Sequence, residues 1–292
     1  MGLNSPGPAW LFCPADRPER YEKAAGAADI VILDLEDGCA AAVRPAARQA
    51  LIDVQLDPAR TVVRINPFGT ADQQLDLEAL TKTPYDTVML PKCEAREHVT
   101  ALAPLDVIVL VESPLGALTV TDNVRADNAV AVMWGAEDLF AVLGGTANRY
   151  PDGTYREVAR HVRSQSLLAA KAYGRLALDS VYLDIKNLDG LRREVDDAVA
   201  VGFDAKVAIH PTQLPVIRAG YAPTAEQAQW ARRVLAAAVT ERGVFAFEGL
   251  MVDAPVLRRA ETETWAARSP RQPRPSKPCT RCRTSRMRAW SR

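Results

Sequence analysis

Short runs rich in β-branched and aromatic residues recur along the chain, and stretches rich in Ala, Leu, Glu and Arg separate most of them. The apolar runs predict eight strands, at 10–14, 30–37, 61–66, 87–92, 106–113, 129–138, 180–184 and 205–211. Strands that alternate with helical patterns indicate βαβ units and a parallel sheet. Eight such units over about 250 residues is the size of a closed (β/α)8 TIM barrel. An open, doubly wound sheet usually carries GxGxxG after its first strand. Here the first strand leads into Pro14-Ala-Asp-Arg-Pro-Glu-Arg20 instead, so the barrel is the expected fold.

Helix boundaries fit the same division. Asp189 is placed to cap a helix through Val201, and Gly202 suits its left-handed end. Thr224 and Gln227 have capping-box spacing for a helix reaching about Arg242. Beyond it come an apolar segment with a turn, 243–253, and a last helix from about Ala254 to Ala267. The expected organisation is a catalytic barrel over 1–242, a C-terminal lid and helix over 243–265 at a subunit contact, and a tail over 266–292. The tail has nine Lys or Arg, four Pro, no acid and almost no aliphatic side chain, so it is expected to be disordered. Its Cys279-x-x-Cys282 lacks the second ligand pair of a zinc site and reads as incidental.

In a barrel of this kind chemistry gathers at the carboxyl ends of the strands. Those ends carry Glu36 and Asp37, Arg64 and Asn66, Lys92, Glu112, Glu137 and Asp138, Asp184, and His210. Strand ends are polar in any protein, because loops begin there. That does not explain Arg64 and Glu112 inside the apolar runs VVRIN and VIVLVES, since an unpaired buried charge is costly. Only His98, His161 and His210 are present, which leaves zinc poorly supported. Carboxylates with water and substrate oxygens suit Mg2+. Glu112 and Asp138 are the candidate ligands, and Arg64 is the candidate bidentate partner of a substrate carboxylate. A metal beside an arginine describes a site for a 2-oxo acid. The crowded acids of Val31-Ile-Leu-Asp-Leu-Glu-Asp-Gly38 present a second possible metal-binding cluster.

Composition narrows the function classes. The chain has 292 residues, 48% hydrophobic, with 36 basic against 36 acidic side chains, so charge names no nucleic-acid or membrane partner. Neither a membrane-spanning run nor a secretory signal is read from it. Five scattered cysteines fit reduced thiols and a cytoplasmic location.

The ordered motifs PAxRPER, VILDLEDG, VVRIN, VMLPK, VxLVES, MWGAEDL and AIHPTQ, over about residues 8–265, resemble the citrate lyase beta-subunit-like proteins, which include malyl-CoA and citramalyl-CoA lyases. The resemblance implies a Mg2+-dependent carbon–carbon lyase that cleaves a 3-hydroxyacyl-CoA thioester to an oxo acid and an acyl-CoA. An acyl-CoA thioesterase, or the citryl-thioester-cleaving subunit of a multi-subunit citrate lyase, stays open beside it. By the resemblance Glu112 and Asp138 hold the metal, with Glu112 also at the substrate, and Arg64 takes the substrate carboxylate. Glu36 and Asp37 become groups that fix water around the metal rather than ligands. Arg17 and Lys23 match positions that meet coenzyme A phosphates. Asp253 matches an acid/base delivered over a neighbouring subunit's site, in a homotrimer or hexamer.

Overall fold

The computed structural model describes residues 7–241 and 243–268. Residues 269–292, with Cys279, Cys282 and most of the expected basic tail, lie outside the described residues. Eight parallel strands close into one barrel in sequence order: β1 (Ala9–Pro14), β2 (Ile30–Asp34), β3 (Thr61–Arg64), β4 (Thr87–Leu90), β5 (Asp106–Val111), β6 (Ala129–Trp134), β7 (Leu176–Asp179) and β8 (Ala205–Ala208). The helices outside them include α1 (Tyr21–Ala27), α2 (Arg44–Asp53), α3 (Ala71–Leu80), α4 (Arg96–Thr100), α5 (Pro114–Asn123), α6 (Ala136–Leu143), α7 (Glu157–Ala172), α8 (Leu188–Val201) and α9 (Leu214–Tyr221). The (β/α)8 expectation holds.

Side chains alternate along each strand, which sorts the apolar residues into two layers. Trp10, Ile30, Ile32, Val62, Met89, Ile108, Leu110, Met133, Leu178 and Val207 pack inside the barrel. Leu11, Val31, Leu33, Val63, Leu90, Val109 and Val132 pack outward under the helices. The same alternation decides what reaches the carboxyl rim. The inner columns Ile30–Ile32, Val62 and Ile108–Leu110 continue into Asp34, Arg64 and Glu112.

Strands β2 to β8 all end earlier than the sequence expectation, and three of these differences bear on the site or on the pairing. β2 stops at Asp34, because its carboxylate accepts the backbone N–H groups of Glu36 (3.0 Å) and Gly38 (2.8 Å) and turns the chain. β6 stops at Trp134, and Glu137 and Asp138 lie in the first turn of α6, where the helix dipole favours acids. The seventh strand is 176–179 rather than 180–184. Val181-Tyr-Leu183 has the stronger β-propensity, but the Leu-Ala-Leu-Asp run before it is the one that pairs with β6 and β8. Asp184 is therefore an exposed turn residue, accepting from the N–H of Lys186 (3.2 Å). The cap of α8 is Asn187, not Asp189, while Gly202 closes that helix at φ +106° as expected.

After the barrel come α10 (Ala225–Ala237), the hairpin strands β9 (Phe245–Phe247) and β10 (Leu250–Val252), and α11 (Ala254–Arg268). Thr224 and Gln227 form the expected capping box, although α10 ends short of Arg242. Ala231, Val234, Val252 and Ala260 make a separate small core that ties the hairpin and α11 to α10. Cys13, Cys39 and Cys93 are buried free thiols. Among the described residues no helix is long and apolar enough to cross a membrane.

On the outer side of β7 and β8 a charge network binds the barrel to its helices. Lys206 is fully buried, and its Nζ donates to Asp179 (3.0 Å), Glu194 (3.2 Å) and the Ser180 carbonyl (2.7 Å). Asp179 also accepts from Arg163 Nε (2.9 Å) and from the Trp134 indole (2.8 Å). Burial alone would raise the Asp179 carboxyl, but Lys206 and Arg163 outweigh it and hold it at about 2. Its contribution to stability is present above the ordinary carboxylate range and is lost as pH falls toward 2. Asp179→Ala should cost about 3–5 kcal/mol in urea unfolding, because it strands a buried ammonium. Adding Lys206→Met should recover part of that loss; additive costs in the double variant would argue against the pairing.

Candidate active site

The rim is organised by one ion pair. Asp34 and Arg64 are the last residues of neighbouring strands and stand opposite each other in the β2–β3 register. Arg64 donates Nε (2.7 Å) and Nη2 (2.6 Å) to the two oxygens of Asp34, a bidentate fork buried on both sides. Its guanidinium lies 4.8 Å from the centre of the Phe12 ring. Burial alone would weaken its hold on the proton, but Asp34 and Glu36 reverse that and raise its pKa. Gly38 is required beside this pair, since a Cβ there would lie 2.3 Å from Asp34 Oδ2.

Glu36, next up the inner column, is 2% exposed. It is held by Arg64 Nη1 (3.1 Å) on one side and by the Lys92 ammonium on the other. Burial still pushes its carboxyl upward against these two cations. Asp37 is the outward neighbour, with a side chain 57% exposed and 3.6 Å from Lys92 Nζ. All three guanidinium nitrogens of Arg64 are thus engaged, Nε and Nη2 on Asp34 and Nη1 on Glu36.

Glu112 tops the inner column of β5 and is 3% exposed. Its Oε1 accepts the backbone N–H of Lys92 (3.0 Å). Gly135, the residue between β6 and α6, stands beside it; a Cβ at that position would sit 3.2 Å from both Glu112 Cβ and Oε2. Burial, then the like charges of Glu36 and Asp138, push the Glu112 carboxyl up to about 8. Asp138 is half-buried in the first turn of α6 and acts electrostatically on both Glu112 and Lys92. The expected residues Glu36, Arg64, Glu112 and Asp138 therefore share one electrostatic cluster. Among the described residues no three His, Cys, Asp or Glu side chains converge as a ready-made metal cage. The donor set here is two carboxylates, Glu112 and Asp138.

The remaining expected residues lie elsewhere. Arg17 and Lys23 are exposed cations that follow β1, at the same end of the barrel. Asp253 caps α11, accepting from the Val256 N–H (3.2 Å), in the small unit that packs on α10. His210 caps a short turn through Thr212, a structural role. Sequence reading left Asp34 without a partner and Lys92 without a role. It also missed Asp76, fully buried, which accepts from Asn66 N and Nδ2 (both 2.8 Å) and from Arg48 Nε (2.7 Å) and so fixes the loop after β3. The signal for Asp34 was available: an acid and a base end adjacent parallel strands. Asp76 gave none, since it lies on a helix with no periodic mark.

Residues 9–211 match the HpcH/HpaI aldolase/citrate lyase family. A citrate lyase subunit beta-like protein of Mycobacterium tuberculosis is 63% identical over 262 residues, covering 90% of this chain and 96% of its own. The mitochondrial citramalyl-CoA lyase of Mus musculus is 30% identical over 290 residues, covering 88% of this chain and 84% of its own. The crystal structure of CitE from Mycobacterium tuberculosis in complex with magnesium, acetoacetate and coenzyme A superposes with a TM-score of 0.88 at 63% identity, covering 90% of this chain and 98% of that one. With the motifs in order on a closed barrel and the match extending over most of both chains, this protein belongs to the HpcH/HpaI aldolase/citrate lyase family.

Proposed function

We propose that this chain is a Mg2+-dependent carbon–carbon lyase that cleaves a 3-hydroxyacyl-CoA thioester of the malyl, citramalyl, hydroxymethylglutaryl or citryl type to an oxo acid and an acyl-CoA. The observation that carries the reading is the buried Glu112 carboxylate, with Asp138 and Arg64 about it, at the carboxyl rim of a barrel that is 63% identical to one crystallised with magnesium, acetoacetate and coenzyme A. The residues fit the metal. Glu112 and Asp138 supply hard oxygen donors, and the missing Cβ of Gly135 leaves room beside Glu112 Oε2. When bound there, Mg2+ supplies Lewis-acid polarisation of the oxo-acid oxygens.

The chain's own groups supply the rest. The second N–H of each Arg64 Nη takes the carboxylate of the oxo-acid half and sets its orientation. Glu36 and Asp37 hold water at the rim, and that water receives the proton of the substrate hydroxyl. As the carbon–carbon bond breaks, its electron pair passes to the thioester α-carbon. The Asp253 carboxyl then protonates that carbon and releases the acyl-CoA. Arg17 and Lys23 are exposed at the same end of the barrel and suit coenzyme A phosphates. The division into a barrel of 1–242 and a lid of 243–265 belongs to this proposal, as does a cytoplasmic homotrimer or hexamer in which the lid covers a neighbour. In support, the hairpin leaves Leu250 57% and Met251 70% exposed next to Asp253, an apolar tip of the sort that is buried between subunits.

Two outcomes follow. With its carboxyl at about 8, Glu112 holds a proton at neutral pH, and a cation must displace it. Mg2+ affinity measured by calorimetry should therefore rise as pH increases to about 8, by roughly tenfold per unit below it, with proton release on binding. A flat profile between pH 6 and 8 would exclude Glu112 as a ligand. Asp253→Asn should retain Mg2+ binding and lose about 10²–10⁴-fold in turnover, read as oxo acid released from the CoA ester. Free coenzyme A with intact hydroxy acid as product would assign the thioesterase reaction instead.

A further inference from the structure

Lys92 is out of step with its own strand. Met89 packs inside the barrel and Leu90 outside, so regular alternation would send Lys92 outward with Leu90. Its backbone instead takes φ +50°, the left-handed region that a side chain with a Cβ enters rarely. Among the described residues only Lys92 and Glu248, the latter in the β9–β10 turn, do so without being glycine. A turn residue of this kind has a local explanation. Lys92 also lies in a turn, with Pro91 before it, but that turn closes no hairpin; it follows a barrel strand whose chain goes on to α4. Sparsely populated backbone conformations persist where the surroundings over-determine them, and they concentrate at functional sites.

The reversal has two consequences at once. It aims the Lys92 N–H at Glu112 Oε1 (3.0 Å), and it carries the ammonium inward to Glu36, within 3.6 Å of Asp37. An extended residue at 92 would point the side chain out among the helices. The side chain is only 33% exposed, so the ammonium spans the rim rather than solvent. Other buried charge clusters have no such geometry. Around the cavity of about 570 Å³ between α7 and α8, the buried Asp179 and the half-buried Arg163 and Glu194 are already paired with one another, with Lys206 or with Arg149.

We propose that Lys92 is a two-handed positioning residue: its backbone N–H fixes the orientation of Glu112, leaving Oε2 for the metal, while its ammonium clamps Glu36 from the side opposite Arg64. The left-handed turn is what lets one residue do both. The inference rests on Glu112 being the metal ligand, and it adds the link between the metal site and the acidic pair. Groups that orient a ligand from behind it change metal affinity or activity by about 10–100-fold when removed.

Three variants at position 92 separate the two hands, with Mn2+ binding followed by electron paramagnetic resonance and turnover resolved into kcat and KM. Lys92→Met keeps the Cβ and the chain length but lacks the ammonium. Lys92→Gly lacks the ammonium and removes any cost of φ +50°, so it also serves if the Met variant folds poorly. Both should bind Mn2+ within about threefold of the parent while kcat falls by about tenfold or more. Lys92→Val puts a β-branched residue where it is least tolerated, moves the N–H off Glu112, and should weaken Mn2+ by about tenfold as well. Parent-like kcat in Met and Gly would overturn the clamp. Equal Mn2+ affinity in Gly and Val would overturn the backbone role. Glu112→Gln is the separate control: unchanged Mn2+ binding in that variant would remove the metal reading itself, whatever position 92 does.

Discussion

The rim depends on the buried fork between Arg64 and Asp34. A charged pair at the mouth of an apolar barrel carries a desolvation cost that only near-ideal geometry and further hydrogen bonds offset. Both conditions are met. The strands are in register at these two residues, so the fork forms between neighbours without distortion. The remaining capacity of Asp34 is filled by the N–H groups of Glu36 and Gly38. One carboxylate therefore ends β2, starts the acidic turn after it and anchors the arginine. Without it, Arg64 would have no fixed plane and Glu36 no fixed height. The absence of a side chain at Gly38 is part of the same construction.

From that pair the site extends by contact. Arg64 reaches Glu36, Glu36 reaches Lys92, and Lys92 reaches Glu112 through its backbone. Glu112 faces Gly135, the residue before α6, and α6 carries Asp138 in its first turn. Five consecutive strands, β2 to β6, thus contribute to one chain of polar contacts along the rim. Behind it, the Asp179 network ties the end of β6 to α7 and β8 through the Trp134 indole. Strand ends, the first turn of α6 and the short turns at Glu36 and Lys92 fix the spacing of the polar groups.

Much of this was legible in the sequence, for a physical reason. Burying a charge in an apolar strand is costly, so Arg64 in VVRIN and Glu112 in VIVLVES stand out from their surroundings. Periodicity located seven of the eight strands and failed on the seventh. There the pairing run Leu-Ala-Leu-Asp is weaker in β-propensity than the Val-Tyr-Leu after it, and ladder position, which is a tertiary property, decided between them. The role of Asp34 was legible only in part: an acid and a base end adjacent strands, but whether they pair depends on register across thirty residues of sequence. Lys92 was hidden more deeply. Alternation predicts the wrong side for it, and a left-handed lysine has no mark in the sequence.

Charge bookkeeping at the rim bears on what occupies it. The buried or half-buried acids are Asp34, Glu36, Glu112 and Asp138, and the cations facing them are Arg64 and Lys92. Asp37 is largely exposed, where solvent screens it. Four negative charges against two positive ones leave the cluster short by two. The two oxygens of Asp34 already accept the arginine fork and two backbone N–H groups. Glu36 is held by both cations. The imbalance therefore falls on Glu112 and Asp138, and it is Glu112 whose carboxyl is driven to about 8. A proton there removes one of the two excess charges; a divalent cation between the two carboxylates removes both. That arithmetic supports the proposed placement of Mg2+ at Glu112 and Asp138 over one at Glu36 and Asp37, where the compensating cations are already supplied by the protein.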